Sequence, residues 1–183
     1  KQELDLKDDD FSAASFADIA YEKITKDFSK ADYMGIELLM RTTGKYKGYI
    51  NAAKLCSLAG INRKEYCEWK RGSKAKELID LLQNHLRTRN NTGTEEELQV
   101  VVTFKELDNT LKGAYVHPDL ILNIAQWLSN AFYLKVSHIM RDRAVKDLRE
   151  KLREKEDIIH EKDDKIDELK RMMQSMLDKT DSV

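Results

Sequence analysis

The sequence predicts an α+β domain followed by a long helix that is exposed to water. Apolar residues make up 41% of the 183 residues, enough for one core of roughly 100–150 residues. Charged residues make up 36%, against roughly 25% in an average globular chain, which indicates an additional solvated segment. Runs of β-branched residues occur between helical patterns, whereas residues 143–183 contain neither proline nor glycine. We therefore expect a small β-sheet or hairpin packed by about five helices, in an arrangement similar to a helix-turn-helix. A long C-terminal coiled-coil helix is expected to follow this domain.

The first thirty residues are predicted to form a leader and a short helix. Residues 1–10 read KQELDLKDDD, an acidic composition typical of unfolded chain. Apolar residues in 11–30 recur at helical spacing, so a helix is expected there. These residues are Phe11, Phe16, Ile19, Ala20, Ile24 and Phe28. Because the chain begins with lysine rather than methionine, we expect it to be a fragment or a trimmed product.

A hairpin is predicted next. Residues 34–42 and 46–50 have the composition of strands, and the connection TGKYKG between them is polar and contains two glycines. Tyr46 and Tyr49 are expected to lie in cross-strand positions of this hairpin.

Three helices are predicted after the hairpin. Asn51 is a good N-cap for AAKLCSLAG, which Gly60 can end. The second helix, RKEYCEWKR, stops at Gly72, and Trp69 is expected to anchor its packing. Ser73 can cap the third helix. Its apolar face consists of Ala75, Leu78, Ile79, Leu82 and Leu86.

A loop, a strand and two further helices complete the pattern. Residues 90–97 read as a polar loop, and residues 97–107 (ELQVVVTFKEL) as a strand. Residues 109–116 either pair with that strand or continue as a loop. Pro118, with His117 before it as the cap, opens a helix, and Ser129 can cap the next one.

The last segment carries a heptad repeat. The apolar residues at heptad positions a and d predict an oligomerisation face. They are Val145, Leu148, Leu152, Ile159, Ile166, Leu169, Met173 and Met176. β-Branched residues at a favour a parallel dimer, and lysines at two d positions weaken the seam. The alternative is a single solvated helix held by ion pairs along its own surface. The expected domains are 1–10, 11–142 and 143–183.

The near-zero net charge of −1 hides a basic stretch. Residues 41–90 hold 12 basic and 4 acidic side chains, a net charge of +8. Such a field suits the phosphate backbone of duplex DNA, and two short helices in succession can place one helix in the major groove. The residues predicted to contact DNA are Lys45, Lys47, Lys54, Arg63, Lys64, Lys70, Arg71, Lys74 and Lys76.

Catalysis, metal binding and membrane insertion are not expected. The sequence contains no G-x-S-x-G, no phosphate-binding glycine loop and no H-E-x-x-H. Its two cysteines and four histidines lack the spacing of a zinc site, and Cys56 is the likelier core thiol of an intracellular protein. No apolar run approaches the length of a membrane span. No catalytic residue, metal or cofactor is therefore assigned.

Two stretches carry a family resemblance. They are GYINAAKLCSLAGINRKEYCEWKR (residues 48–71), continuing into SKAKELIDLL, and GAYVHPDLILNIAQWLSNAFYLKVSHIM (residues 113–140). Together they resemble the KilA-N domain of large DNA viruses and bacteriophages, which is similar to the fungal APSES domain. The resemblance covers about residues 30–142. Some poxvirus members carry a RING finger after the domain, but no cysteine follows Cys67 here. The heptad segment looks more like that of insect-virus relatives.

The resemblance implies a DNA-binding viral protein acting in the host-cell cytoplasm or nucleus. Double-stranded DNA, a second copy of the chain and a host protein are the expected partners. Two alternatives remain open. One is a protein–protein adaptor acting through the coiled coil. The other is binding of single-stranded DNA or RNA, for which Tyr46, Tyr49 and Phe104 are the candidate stacking residues.

Overall fold

The computed structural model describes residues 19–59, 65–89 and 97–182. They form six strands and five helices, an α+β fold as predicted. The strands are β1 (Ala20–Lys23), β2 (Phe28–Tyr33), β3 (Ile36–Arg41), β4 (Ile50–Asn51), β5 (Val101–Val102) and β6 (Tyr115–Val116). The helices are α1 (Ala52–Ala59), α2 (Glu65–Arg71), α3 (Ser73–Arg89), α4 (Pro118–Leu128) and α5 (Asn130–Thr180). Two compact units result, Lys1–Met140 and Arg141–Val183.

One antiparallel sheet organises the first unit. Its strand order is β1-β2-β3-β4-β6-β5, and the longest pairing joins β2 to β3 from Phe28↔Arg41 to Tyr33↔Ile36. The two residues between these strands, Met34 and Gly35, both have positive φ angles, 50° and 78°. Positive φ at both turn residues is typical of the two-residue turns whose twist matches a hairpin.

The helix predicted for residues 11–30 is wrong wherever the structure describes it, since β1 and β2 occupy that stretch. Phe28, Ala31 and Tyr33 are buried in β2. They face the core only because β1 and β3 pair with that strand on either side. Pairing between strands therefore overrides the local helical spacing. Residues 11–18 and the leader at 1–10 lie outside the described residues.

The predicted strands further along differ in length from the observed ones. The predicted hairpin is shorter in the structure, where β3 and β4 form a single pair, Met40↔Ile50. The strand predicted over 97–107 is confined to Val101–Val102, and Glu106 has a positive φ of 60°. Residues 109–116 do pair with it, through β6.

Two apolar clusters flank the sheet. The larger contains Leu38, Ile50 and Val116 together with buried residues of all five helices. The smaller consists of Phe28, Leu39, Tyr49, Leu111 and Tyr115. Adjacent residues such as Leu38 and Leu39 fall in different clusters because successive side chains of a strand point to opposite faces. The predicted apolar face of α3 is confirmed, since Ala75, Leu82 and Leu86 are buried.

The predicted helix caps are confirmed for α1, α4 and α5. Asn51 accepts the Lys54 N–H at 2.9 Å, the His117 Nδ1 accepts the Asp119 N–H, and the Ser129 Oγ accepts the Phe132 N–H. Pro118 is the first residue of α4, as expected. The Asn51 amide also donates to the Lys112 carbonyl at 3.1 Å, which ties α1 to the segment before β6.

The second unit contains the rest of α5. Ion pairs four residues apart run along it, including Asp142–Lys146 at 2.9 Å and Glu161–Lys165 at 2.8 Å. Its large apolar side chains are exposed. Within the described ranges, no helix has the length and apolar character that crossing a membrane requires.

Candidate nucleic-acid interface

Four of the predicted DNA-contacting residues meet where α2 ends and α3 begins. We call this group, Lys70, Arg71, Lys74 and Lys76, the α2–α3 corner. All four are exposed. Gly72 is the single residue between the two helices.

A buried tryptophan seats this corner on the core. Trp69, immediately before the cations, is only 2% exposed, and its Nε1 donates to the Asn123 Oδ1 of α4 at 2.9 Å. Tyr66 stacks against the Trp69 ring with centroids 6.0 Å apart. The packing role predicted for Trp69 is confirmed. Because α2 is anchored on α4, the four charges project from a well-packed base.

In the part of the chain that the structure describes, the acidic residues of α2 and α3 form no ion pair with the corner. Across the ranges that the structure describes, none of the four forms an ion pair with a carboxylate. The acidic residues of α2, Glu65 and Glu68, lie in its first turn, and the first turn of α3 has none. Cations in a first turn are mildly unfavourable for the helix dipole. Lys74 and Lys76 therefore gain nothing from the dipole of α3, and both side chains are exposed to solvent.

A cleft of about 500 Å³ lies beside the corner, between the start of α3 and α4. Asn123, Gln126 and Trp127 of α4 form one wall, and Lys74 lies on the other. Trp127 is 48% exposed, so of the two positions that its apolar neighbours in the sequence favour, core or interface, it does not occupy the core. Gln126 and Trp127 lie outside the apolar face of α4. This position in the helical pattern is the signal from which their exposure could have been predicted.

The remaining predicted residues lie on other elements. Lys45 and Lys47 belong to the turn between β3 and β4, where the Lys45 Nζ donates to the Glu97 carbonyl at 3.4 Å. Lys54 of α1 donates to the Asn109 carbonyl and shares a cleft of about 660 Å³ with Lys112, a cation the sequence reasoning missed. Arg63 and Lys64 lie outside the described residues.

Two basic residues of the 41–90 stretch serve the fold. Arg41 sits 4.9 Å from the ring centroids of both Phe28 and Phe104 and pairs with Asp27 at 3.9 Å. Arg87 pairs with Glu97. The Thr43 hydroxyl, helped by Arg41, lowers the pKa of Asp27. The local charge of +8 therefore overstates the charge offered to a partner. The sequence also predicts that the α2–α3 corner, the pair Lys45 and Lys47, and Lys54 form one electropositive surface. This convergence remains a prediction.

The aromatic residues considered for single-stranded nucleic acid are committed to packing. Tyr49 is buried, its hydroxyl donates to the Gln99 carbonyl at 2.8 Å, and burial raises its pKa to about 12. Tyr46 contacts Tyr49 at 5.0 Å between centroids, and Phe104 contacts Tyr115 at the same distance. Their rings fill the smaller cluster rather than forming a platform for bases.

Both cysteines are free thiols, and they differ in burial. Cys56 is buried, which raises the pKa of its thiol to about 12, and Cys67 is exposed. Among described residues, no three histidine, cysteine, aspartate or glutamate side chains are grouped as metal ligands would be.

Comparison with known proteins gives consistent matches. The family model of the KilA-N domain matches residues 31–146. The putative KilA-N domain-containing protein L4 of Acanthamoeba polyphaga mimivirus is 34% identical over 81% of this chain and 30% of its own length. The putative KilA-N domain-containing protein 313L of Invertebrate iridescent virus 6 is 30% identical, over 77% of this chain and 37% of its own length.

A poxvirus protein is also similar. The uncharacterized protein FPV248 of Fowlpox virus is 34% identical over 65% of this chain and 73% of its own length. The chain thus spans about a third of the mimivirus and iridescent-virus relatives. No solved structure matches it.

Proposed function

Because this chain belongs to the KilA-N family of large DNA viruses, which is associated with DNA binding and is not a known enzyme family, we propose that it binds double-stranded DNA without catalysis. The observation that carries the proposal is the α2–α3 corner, with four exposed cations on an anchored base. The comparisons support nucleic-acid binding by the family, and the choice of duplex DNA is our own inference.

Phosphate contacts supply most of the affinity in this account. Duplex DNA presents about one negative charge per 1.7 Å of its axis, and binding releases the counterions condensed there. The corner offers four cations to this backbone. We propose that Lys47 and the pair Lys54 and Lys112 extend this contact.

We propose that residues beside the corner contact the edges of the DNA bases. Gln126 carries a carboxamide, the group that pairs with adenine in a bidentate manner. Trp127 offers an exposed ring next to it. Both line the cleft beside Lys74, so the phosphate-contacting and base-contacting groups we propose are neighbours.

Self-association through the second unit strengthens DNA binding. The exposed apolar residues of α5 recur at heptad spacing, which is typical of a coiled coil. Joining two weakly binding units makes the second contact intramolecular and raises the overall affinity. We propose that the protein acts in the host-cell cytoplasm or nucleus, where viral DNA is found.

A gel shift with several unrelated duplexes, a single strand and an RNA hairpin, at about 50 and 200 mM salt, tests this function. We expect all duplexes to shift at the lower concentration and most of the shift to disappear at the higher one. A shift of the single strand or the hairpin without any shift of a duplex would contradict duplex binding and indicate single-stranded DNA or RNA as the ligand. No shift with any nucleic acid contradicts it.

A protein–protein adaptor is the second candidate, favoured by the exposed apolar face of α5. In that case the coiled coil recruits a host or viral protein and the α2–α3 corner binds an acidic protein surface. Stable association with such a partner, together with failure of every nucleic acid to shift, would favour the adaptor.

A further inference from the structure

Two lysines interrupt the apolar face of α5 at positions where they have no partner along their own helix. Lys155 and Lys162 occupy d positions, in line with Leu148 and Leu169. The residues three and four positions away from them are Lys, Leu or Ile in every case. These residues are Lys151, Leu152, Ile158, Ile159, Lys165 and Ile166.

This absence distinguishes the two lysines from their neighbours. Lys165 bonds Glu161 at 2.8 Å and Lys146 bonds Asp142 at 2.9 Å, each four residues away. Such pairs along one helix stabilise it modestly in water. Lys155 and Lys162 instead lie on the apolar face with no carboxylate three or four residues away, so a carboxylate of a second chain is the partner that we consider for them.

Each of the two lysines is followed by an acidic residue. Glu156 and Asp163 occupy the adjacent e positions. In a parallel, in-register coiled coil, a d side chain enters a hole on the facing helix that the partner's e residue lines. Lys155 then meets Glu156 of the partner subunit, and Lys162 meets Asp163 of the partner subunit.

We propose that the apolar face of α5 binds a second copy of this chain as a parallel, in-register, two-stranded coiled coil, in which the Lys155 and Lys162 layers set the register and the strand number. This inference rests on the self-association in the proposed function and specifies its geometry. β-Branched Val145, Ile159 and Ile166 at position a act in the same direction, since they favour two strands.

The flanking charges favour the parallel arrangement over the antiparallel one. In the parallel pair, Lys151 also faces Glu156 of the partner subunit, and the repulsive contact is Lys165 with Lys170. In the antiparallel pair with the greatest overlap, Arg149 faces Lys170 and Glu156 faces Asp163, so both flanking pairs repel.

Strand number follows from burial of the ammonium groups. In a dimer, a lysine at d reaches the edge of the interface, where the partner carboxylate and water can solvate it. A bundle of three or four helices encloses its d positions more fully, and an enclosed charge costs several kcal/mol unless it is well paired. The lysines at these two d positions therefore favour two strands over larger bundles.

A parallel pair has a consequence for the proposed DNA contact. In both chains the first unit precedes the coiled coil, so parallel helices carry the two units at the same end. Two α2–α3 corners can then contact one duplex.

Charge reversal in the full chain tests the pairing. One variant carries K155E and K162E, and the other carries E156K and D163K. Each has like charges at d and e, so each is expected to sediment as a monomer at a concentration where the unaltered chain is a dimer. An equimolar mixture should recover the dimer mass. Dimers of either variant alone, or no recovery on mixing, would overturn the lysine–carboxylate pairing.

Cross-linking separately tests orientation, in a C67S background that removes the exposed native thiol. M176C chains are expected to form disulfide-linked dimers on oxidation, as are V145C chains. Cross-linking only in a mixture of V145C and M176C chains would show an antiparallel pair and overturn the proposal. Replacing both lysines by leucine, K155L and K162L, should stabilise the assembly and admit masses above the dimer.

The unaltered chain separates failure of this inference from failure of the proposed function. A monomer at all concentrations overturns both self-association and this geometry, while DNA binding by the gel shift still stands. A dimer whose variants do not behave as expected overturns the geometry alone.

Discussion

The two units of this chain differ in the burial of their apolar side chains. In the first unit, Leu55, Leu120 and Ile124 are completely buried against the sheet. In the second, Leu148, Ile159 and Met176 are each more than half exposed. The apolar residue types are similar in the two units, so their burial and not their chemistry distinguishes them. The first unit is stabilised by its own core, whereas the second leaves its apolar side chains exposed.

The largest expected effect lies in the first unit and uses two leucines of the same helix. Leu55 is 0% exposed and Leu58 is 42% exposed, both on α1. We expect Leu55→Ala to lower the free energy of unfolding by about 2–5 kcal/mol, because it leaves a cavity, and Leu58→Ala by less than about 1 kcal/mol. Denaturant titration followed by tryptophan fluorescence measures both, since both tryptophans lie in the first unit. Equal losses of unfolding free energy in the two variants would contradict the burial of Leu55 and the exposure of Leu58.

The second effect should appear in DNA affinity rather than in the stability of the first unit. Replacing Ile159 and Ile166 by glutamate places charges in the apolar face and should separate the chains. We expect the DNA affinity to fall at least tenfold, because linkage of two sites typically contributes 10²-fold or more. Removing residues 145–183 should lower it similarly. Fluorescence anisotropy with a labelled duplex, together with sedimentation, gives both readouts.

A matched variant controls for the added charge. Gln174 and Ser175 lie at exposed positions outside the a and d positions, and their replacement by glutamate changes the charge by the same amount. This variant should remain dimeric and keep its affinity. Unchanged affinity in the isoleucine variant, once it is shown to be monomeric, would refute the avidity argument.

Much of the fold could be predicted because its signals are local. Asn51, Pro118 and Ser129 mark helix starts through side-chain and φ preferences that act within a few residues. The N-terminal strands could not be predicted in this way. The spacing of Ile19, Ile24 and Phe28 fits a helix, and only the pairing of β2 with strands on both sides decides otherwise.

The candidate site was predictable in part for the same reason. Lys70, Arg71, Lys74 and Lys76 are adjacent in sequence, so one helix–helix corner brings them together. Arg41 contributes to the net charge of residues 41–90, but it contacts Phe28, Phe104 and Asp27, and no local pattern reveals these contacts. The position of Trp127 beside Lys74 likewise depends on how α4 packs near α3.

The smallest effect concerns the cap of α4. Burial lowers the pKa of His117, Asp119 opposes this, and His85 adds to it. The unfolded chain therefore binds a proton at a higher pH than the folded one, and stability should fall as the pH drops from about 7 through the ordinary value of 6.5. Protonation also removes the Nδ1 acceptor of the Asp119 N–H.

Asparagine at this position separates the cap from the titration. H117N keeps a capping oxygen but does not titrate, so its unfolding free energy should vary less than that of the unaltered chain between pH 7 and 5.5. The two profiles should differ by less than the variants described above, because a single partly buried imidazole causes the difference. Parallel pH profiles would indicate that His117 titrates normally in the folded state.

The salt dependence of DNA binding tests most directly whether the α2–α3 corner contacts phosphates. We would measure the duplex dissociation constant from about 50 to 200 mM salt for the unaltered chain, for K70Q/R71Q/K74Q/K76Q, and for a control, K23Q/K26Q/K105Q, altered at exposed lysines elsewhere in the first unit. Each phosphate contact contributes about 0.9 to the slope of log K against log salt, so loss of the corner should flatten the slope by up to about 3–4 per chain. The control should keep the original slope. An unchanged slope in the quadruple variant, with the fold intact by tryptophan fluorescence, would contradict the assignment of the corner to DNA.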